Sequence, residues 1–237
     1  MKNKVIILIS FIAIIVVGLL LVVGIGLFNK SNKIKDLLNE KYGEDFKIVH
    51  DNGNEYEGGV IPSFKKTGYK NVIASPEDNK EIKFNVRLKL KPLEIVKDDY
   101  IPASIAYNTS KKIENNYKIG KKMYVHTSAS GYECDGKLTN SFFDNIKGKG
   151  SISISIYVEG LDKKTNYTEY LNKIVRALNL DSNTTGTIRL YSIKENGVEK
   201  IKDYYKNSKD TVKVENSAVN IKKKYFETQN KDYFISF

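Results

Sequence analysis

The feature that most constrains this chain is a run of 24 residues, Val5–Phe28, without a single charged side chain. The run consists mainly of Ile, Leu and Val. As an α-helix rising about 1.5 Å per residue it would extend about 36 Å, and the hydrocarbon layer of a bilayer is about 30 Å thick. We therefore predict a transmembrane helix at residues 5–28, preceded by a short tail at residues 1–4.

Two other interpretations of this run are weaker. A buried core helix usually shows a polar face or a length nearer a dozen residues. A cleaved signal peptide is suggested by Lys2, Lys4 and the Gly24-Ile25-Gly26 triplet. However, the apolar core of such a peptide is usually about 7 to 15 residues, and no A-x-A site follows here. Lipid attachment at an N-terminal cysteine is excluded because the one cysteine is Cys134. We predict a retained signal anchor that crosses the membrane once.

The charges on either side of the run bear on its orientation. Two lysines precede it, and five follow within twenty residues, namely Lys30, Lys33, Lys35, Lys41 and Lys47. That count by itself favours a cytoplasmic C-terminal side. Long domains translocate largely regardless of their charge, however, and a short N-terminal tail usually stays inside. We predict a cell-membrane protein whose C-terminal domain is extracytoplasmic, with the lysine count as the argument for the opposite orientation.

The charge of the chain indicates a class of partner. The formal net charge is +11, and of the 39 basic residues only Arg87, Arg176 and Arg189 are arginine. Lysine is a hydrated point charge, whereas planar reading of phosphates or bases favours arginine. Besides membrane lipid around residues 5–28, we predict anionic envelope polymers or lipid headgroups as partners. The alternative is that the lysines serve solubility alone. A single cysteine makes no intramolecular disulfide.

Helices and strands alternate along the remaining chain. The spacing of Ile34, Leu38 and Tyr42 predicts a juxtamembrane helix at 29–43. A strand at 44–50, a turn at 51–59 and a strand at 71–75 follow. Strict alternation in "FNVRLKL" predicts a half-buried antiparallel strand at 84–90.

The second half of the chain repeats this mixture. We predict helices at 98–118, 167–178 and 198–205, with Asn166 and Glu169 at capping-box spacing, and strands at 122–128, 151–158, 186–193, 212–214 and 233–237. The pattern predicts an α+β fold in which antiparallel sheet packs with amphipathic helices. Residues 44–237 form either one such domain or two lobes divided in the polar stretch 117–122.

The segments "KYGEDFKIV" and "ASPEDNKEIKFNV" suggest a family. They resemble small, uncharacterised membrane-anchored proteins of low-GC Gram-positive bacteria, in which a short helix ending Tyr-Gly-x-x-Phe leads into a strand. The resemblance covers about residues 34–90. It implies a membrane location and a style of fold, and it brings no catalytic residues.

The main enzymatic alternative is a membrane-anchored cysteine hydrolase or transpeptidase that would use Cys134 and His126. A thiolate nucleophile needs a histidine within hydrogen-bond reach and a third group to orient it. His126 lies eight residues upstream, so contact is feasible. The Thr-Leu-x-Thr-Cys strand and the following arginine of sortases are missing, because Glu133 precedes the cysteine and the next arginine is Arg176.

Other patterns are incomplete. "DSNTTGTIRLYS" (181–192) matches part of a calcium loop but ends in Ser192 where glutamate is needed. "KGKGS" and "GKKM" lack the phosphate-loop frame. The acidic pairs Asp98-Asp99 and Glu55, Glu57 fit a helix start or an exposed turn better than an acid/base dyad.

The Lys- and Tyr-rich segment 202–226 suggests nucleic-acid binding if the domain faces the cytoplasm. None of these patterns is a complete catalytic set, so we assign no catalytic, cofactor-binding or metal-ligating residues. We predict a non-enzymatic binding or accessory module at the cell envelope.

Overall fold

A computed structural model describes residues 31–58, 65–134, 146–147, 150–162, 165–179, 184–207 and 233–236. The chain divides into two compact units, Met1–Asp98 and Asp99–Phe237. In the described chain, the first unit combines one helix and the second unit three helices with a four-stranded sheet, which confirms the α+β class. The predicted transmembrane helix, Val5–Phe28, and the predicted strand 212–214 lie outside the described residues. Within those residues, no helix combines the length and apolar character that crossing a bilayer requires.

The described part of the first unit starts in helix α1, residues 31–42. Ile34, Leu38 and Tyr42 are buried at i, i+4 and i+8, as the sequence predicts for one apolar face. The helix ends at Gly43, whose N–H donates to the carbonyl of Asn39 at 2.7 Å. Its φ of 74° is the left-handed conformation that glycine adopts without steric cost.

Four antiparallel strands complete the first unit as a meander: β1 (Phe46–Tyr56), β2 (Lys66–Pro76), β3 (Phe84–Leu90) and β4 (Leu93–Asp98). Their order in the sheet is the order in the chain. One face is buried, as the alternation predicts, and includes Phe46, Val72, Phe84, Val86 and Leu88. The other face carries polar and charged side chains that include Asn71, Asn85 and Arg87.

One sequence prediction in this unit is wrong, and one strand lacks a prediction. The predicted turn at 51–59 is strand up to Tyr56, because three irregularities in the β1–β2 register absorb the turn-forming residues, with Gly53 at a φ of 82°. Strand β4 was not predicted. It is a short edge strand, and its exposed charged residues obscure the alternation of apolar and polar side chains that indicates a strand.

The second unit contains helices α2 (Tyr100–Asn116), α3 (Thr168–Leu178) and α4 (Gly197–Asn207). Its strands are β5 (Lys122–Ser130), β6 (Glu133–Cys134), β7 (Ile146–Lys147), β8 (Ser151–Glu159), β9 (Thr185–Ile193) and β10 (Tyr233–Ser236). The main sheet has the order β10-β9-β8-β5, and β6 pairs with β7. Residues 117–122, where we predicted a division into lobes, lie inside this unit and join α2 to β5.

One pairing departs from the predicted antiparallel arrangement, since β8 and β9 are parallel. Helix α3 lies between them in the chain and supplies the crossover connection that a parallel pair needs. The β5–β8 and β9–β10 pairs are antiparallel. At the start of α3, Asn166 accepts a hydrogen bond from the Thr168 N–H at 3.0 Å, and the N-cap is the next residue, Tyr167.

The two faces of the main sheet are covered by different helices. Helix α2 packs on the face of the sheet that carries Val125 and Thr127. There the hydroxyls of Ser110 and Thr127 are 2.8 Å apart. Helix α3 lies beside α2, where Lys112 donates to the carbonyl of Ala177 at 2.7 Å. The isoleucines of β8 are fully buried on this side. Helix α4 packs on the opposite face, against Tyr157.

Candidate functional site

Among the described residues, α4 packs on one end of its face of the second sheet, and the rest of that face carries hydroxyl groups. Along β8 the side chains alternate between buried isoleucines and the exposed or half-buried Ser151, Ser153 and Ser155. The sequence predicts this alternation. It does not reveal what stands beside the serines on the neighbouring strands, because that depends on register.

Register places these serines in three rows across the sheet. The rows, written from β5 through β8 to β9, are Ser130–Ser151–Thr185, Ser128–Ser153–Thr187 and His126–Ser155–Arg189. Ser236 of β10 extends the second row. We call these ten residues the hydroxyl face. All ten are exposed or half-buried, and none carries a carboxylate or an ammonium group.

Spacing follows from strand geometry. Adjacent strands are about 4.8 Å apart, and residues on the same face of one strand repeat about every 6.8 Å. The hydroxyl face therefore spans about 14 Å in each direction. Within it, the Thr187 hydroxyl donates to the Ser153 hydroxyl at 3.2 Å. The hydroxyl groups among these side chains can both donate and accept hydrogen bonds.

Helix α4 closes the end of the sheet beside the hydroxyl face. Between this helix and the sheet lies a group that we call the tyrosine cluster: Tyr124, Tyr157 and Tyr191 of the sheet and Tyr205 of α4. The rings of Tyr157 and Tyr191 stack with centroids 5.2 Å apart, and the hydroxyls of Tyr157 and Tyr205 are 3.1 Å apart. Val198 and Ile201 of α4 complete this core.

Burial keeps three tyrosines of the cluster neutral. Desolvation is the largest cause that raises the pKa of Tyr124, Tyr157 and Tyr205 above the ordinary value, because the charged phenolate would lose its hydration. The pKa of Tyr170, which donates to the carbonyl of Tyr117, is raised for the same reason. These phenols serve as packing and hydrogen-bonding groups at neutral pH.

Glu159 fixes the start of α4. The residue is 4% exposed, and its carboxylate accepts a hydrogen bond from the Val198 N–H at 2.9 Å. Helix N-termini leave backbone N–H groups without partners inside the helix and favour negative charge. This glutamate, at the last position of β8, therefore caps α4 from another element. The sequence offers no local signal for the contact, because 39 positions separate the two residues.

His126 marks the border between the tyrosine cluster and the hydroxyl face. Its ring stacks on Tyr205 with centroids 3.7 Å apart and an interplanar angle of 13°. Cys134, its predicted partner in cysteine chemistry, is in β6, whose side chains lie outside the described part of the structure. Contact between Cys134 and His126 therefore stays an alternative raised by the sequence.

The face of the first sheet that carries Arg87 is built differently, from paired charges. Arg87 donates two hydrogen bonds of 2.8 Å to Glu55 and lies over the ring of Tyr69 at 4.4 Å. Asn71 donates to the same carboxylate at 2.7 Å. The Arg87 hydrogen bonds are the main reason that the pKa of Glu55 is lowered. These charges satisfy one another, and Glu57 likewise pairs with Lys65 at 2.9 Å.

The prediction of an exposed Asp98 is wrong. Its side chain is 2% exposed, at the end of β4, and it accepts hydrogen bonds from Lys41 and from the Tyr42 hydroxyl, each at 2.6 Å. The register pairs Asp98 with the buried Val86, which turns the carboxylate toward the core. Asp99 does lie at a helix start, as predicted, since it is the N-cap residue of α2.

The structure describes only some residues of the remaining predicted patterns. Of the calcium-loop residues, Thr185–Ser192 lie in β9, and residues 181–183 lie outside the described chain. Tyr205, from the Lys- and Tyr-rich segment, belongs to the tyrosine cluster. Residues 208–226 of that segment are outside the described ranges. Within the described residues, no group of three or more His, Cys, Asp and Glu side chains could hold a metal ion.

Comparison with known proteins gives one structural likeness. A crystal structure of a DUF5037 family protein from Ruminococcus gnavus ATCC 29149 matches with a TM-score of 0.46 and 14% identity, over 87% of this chain and 89% of that one. At this identity and TM-score, the likeness carries no functional conclusion. No family model and no curated protein matches the chain.

Proposed function

We propose that this protein is a single-pass, membrane-anchored protein whose two α+β units lie outside the cytoplasm and act as a non-enzymatic binding or accessory module. The observation that carries the proposal is the uncharged run Val5–Phe28, which is long enough to span a bilayer. The resemblance of residues 34–90 to membrane-anchored Gram-positive proteins supports the same location.

Charge supports an anionic partner and favours the second unit as its site. Residues 31–98 carry 13 Lys and Arg against 12 Asp and Glu, whereas residues 99–237 carry 23 against 16. Most of the excess positive charge therefore belongs to the second unit. Near an anionic membrane surface each lysine contributes about 1 kcal/mol of attraction, which fades within a Debye length. The partner that we propose is an anionic envelope polymer or lipid headgroup.

Cysteine labelling in intact cells tests the location. In a Cys134→Ser background, Lys200→Cys puts a thiol on the exposed surface of α4, and Asn3→Cys puts one in the N-terminal tail as the matched control. A membrane-impermeant maleimide should label Lys200→Cys in intact cells and Asn3→Cys only after lysis. The reverse pattern would place the units in the cytoplasm, overturn the proposal and favour nucleic acid as the partner.

Co-sedimentation tests the partner class. The full-length chain in a non-ionic detergent should sediment with purified cell wall at low ionic strength. It should be released by about 0.3 M salt, where the Debye length is roughly 5 to 6 Å. Absence of binding at low salt would show that the lysines serve solubility only.

A further inference from the structure

Helix α1 belongs to the core of the first unit. Ile34, Leu38 and Tyr42 are all buried, and they lie on one face of the helix at i, i+4 and i+8. Most of the stability of a helix in a protein comes from packing of such an apolar face. The helix is therefore built into the unit along its length and is not a stalk that stands away from it.

Polar contacts also fix α1 to the ends of two strands. Lys41 and the hydroxyl of Tyr42 donate to the buried carboxylate of Asp98, the last residue of β4, each at 2.6 Å. In the middle of the helix, Nζ of Lys35 lies 3.9 Å from Oε1 of Glu77, which directly follows β2. These contacts join α1 to residues that are far away in the chain, so the position of the helix also sets the position of the sheet.

We propose that the first unit lies directly on the membrane that residues 5–28 cross, with lipid headgroups as the partner of its surface around the start of α1. This inference rests on the proposed function, and it adds where one of the two units is held. It is carried by the short stretch of chain between Phe28, the last residue of the uncharged run, and Ile34, which is buried in the core of the unit.

Chain length sets an upper limit on the distance between this core and the bilayer. Three residue steps separate Phe28 from Ser31, and fully extended backbone covers about 11 Å over them. From Ser31 to Ile34 the chain is helical, which adds about 5 Å. The Cα atoms of Phe28 and Ile34 therefore lie within about 16 Å of each other, whatever path the connecting residues take.

The headgroup layer and the outer part of the unit fill this distance. Headgroups add about 5 to 8 Å to each side of the hydrocarbon layer, which leaves about 8 to 11 Å between them and Ile34. A helix with its side chains is about 10 to 12 Å wide, and a buried residue such as Ile34 is enclosed by other protein atoms. The surface around the start of α1 is therefore in or next to the headgroup layer.

Charge plays little part in this placement. Residues 31–98 carry 13 Lys and Arg against 12 Asp and Glu, so this stretch is nearly neutral. Anionic lipid attracts clusters of basic residues, whereas here the carboxylate of Glu77 lies beside Lys35. The short connection to the anchor keeps the unit at the surface. Its placement should therefore be insensitive to salt and to lipid charge, unlike the binding that we propose for the second unit.

Energy transfer to labelled headgroups tests the placement. The full-length protein, in a Cys134→Ser background, is reconstituted into vesicles of phosphatidylcholine and phosphatidylglycerol whose headgroups carry an acceptor dye. Asp78→Cys carries the donor dye in the test protein, because this exposed residue is next to Glu77 and therefore reports on the sheet. Lys33→Cys is the matched control, because it is exposed on α1 itself.

We expect strong transfer from both positions, with no change in about 0.3 M salt, where charge attraction is screened. Vesicles of phosphatidylcholine alone should give the same transfer. Insertion of sixteen Gly and Ser residues between Asn29 and Lys30 adds roughly 20 to 24 Å of root-mean-square length and should lower the transfer from both positions about twofold or more.

The outcomes separate this inference from the proposed anchor. Strong transfer from Lys33→Cys with weak transfer from Asp78→Cys would show that the unit stands away from the membrane, and it would overturn the inference alone. Transfer from Asp78→Cys that is lost in salt, or that survives the insertion, would also overturn it, because adsorption would then hold the unit. Weak transfer from Lys33→Cys would show that Phe28 is not at the edge of the bilayer, which would refute the anchor and the inference with it.

Discussion

Gly120 gives the sharpest test of the packing in the second unit. It lies in the connection between α2 and β5 with a φ of +65°. A Cβ at this position would stand 2.4 Å from Cγ1 of Val158 and 2.6 Å from the backbone oxygen of Glu159. The next residue, Lys121, donates its N–H to that same oxygen at 2.7 Å. Gly120→Ala therefore strains both the backbone and the contact with the end of β8.

The cost can be estimated from these two effects. An alanine in the left-handed region loses roughly 1 to 2 kcal/mol. Forcing a methyl group into a packed site costs about 1 to 3 kcal/mol more, because here a backbone oxygen must move. The lower entropy of the unfolded alanine chain offsets about 0.4 to 1 kcal/mol. We expect Gly120→Ala to lower the free energy of unfolding of the second unit by about 2 to 4 kcal/mol.

Gly160→Ala is the matched control. This glycine has a φ of +71°, but its added Cβ would meet the side chain of Lys121 at 2.9 Å, and that side chain can rotate away. It should cost about 1 kcal/mol, most of it from the backbone. Urea unfolding of the full-length chain, followed by near-UV circular dichroism of the tyrosines, measures both. Equal costs for the two variants at unchanged m-values would refute the packing argument.

Three further predictions concern the buried polar groups. Tyr42→Phe removes one hydrogen bond to the buried carboxylate of Asp98 and should destabilise the first unit by about 1.5 to 3 kcal/mol in urea unfolding; a loss under about 0.5 kcal/mol would contradict this. Because the pKa of Tyr157 is raised on folding, its contribution to stability should be complete below about pH 10 and should decline as the pH rises further. Phenolate absorbance should show this alkaline loss in the parent, and Tyr157→Phe should reduce it; an identical alkaline profile in both proteins would count against the prediction. Glu159→Ala should lower stability by about 1 to 2 kcal/mol and speed hydrogen exchange of the Val198 amide, and an unchanged exchange rate would remove the capping role.

Much of the secondary structure was predictable because its causes are local. The apolar face of α1, the alternation of β3 and β8 and the amphipathic α3 are periodicities of neighbouring residues, and burial follows them. Gly43 marked the end of α1 because left-handed backbone favours glycine. Where local signals conflicted, as in residues 51–56, the β1–β2 pairing kept a glycine-containing segment in the sheet.

The tertiary structure alone decided which of these residues meet. The serines of β8 indicated a wet face by themselves, but the rows that they form with Ser128, Thr187 and Arg189 depend on strand register, which no local pattern encodes. The sequence suggested that Asp98 is exposed, because its neighbours are charged. Its pairing with Val86 instead directs its side chain toward the core, beside Tyr42. The periodicity of the local sequence determines which face of its own helix or strand a side chain occupies. Its partner is chosen by contacts between residues far apart in the chain, and those contacts form only on folding.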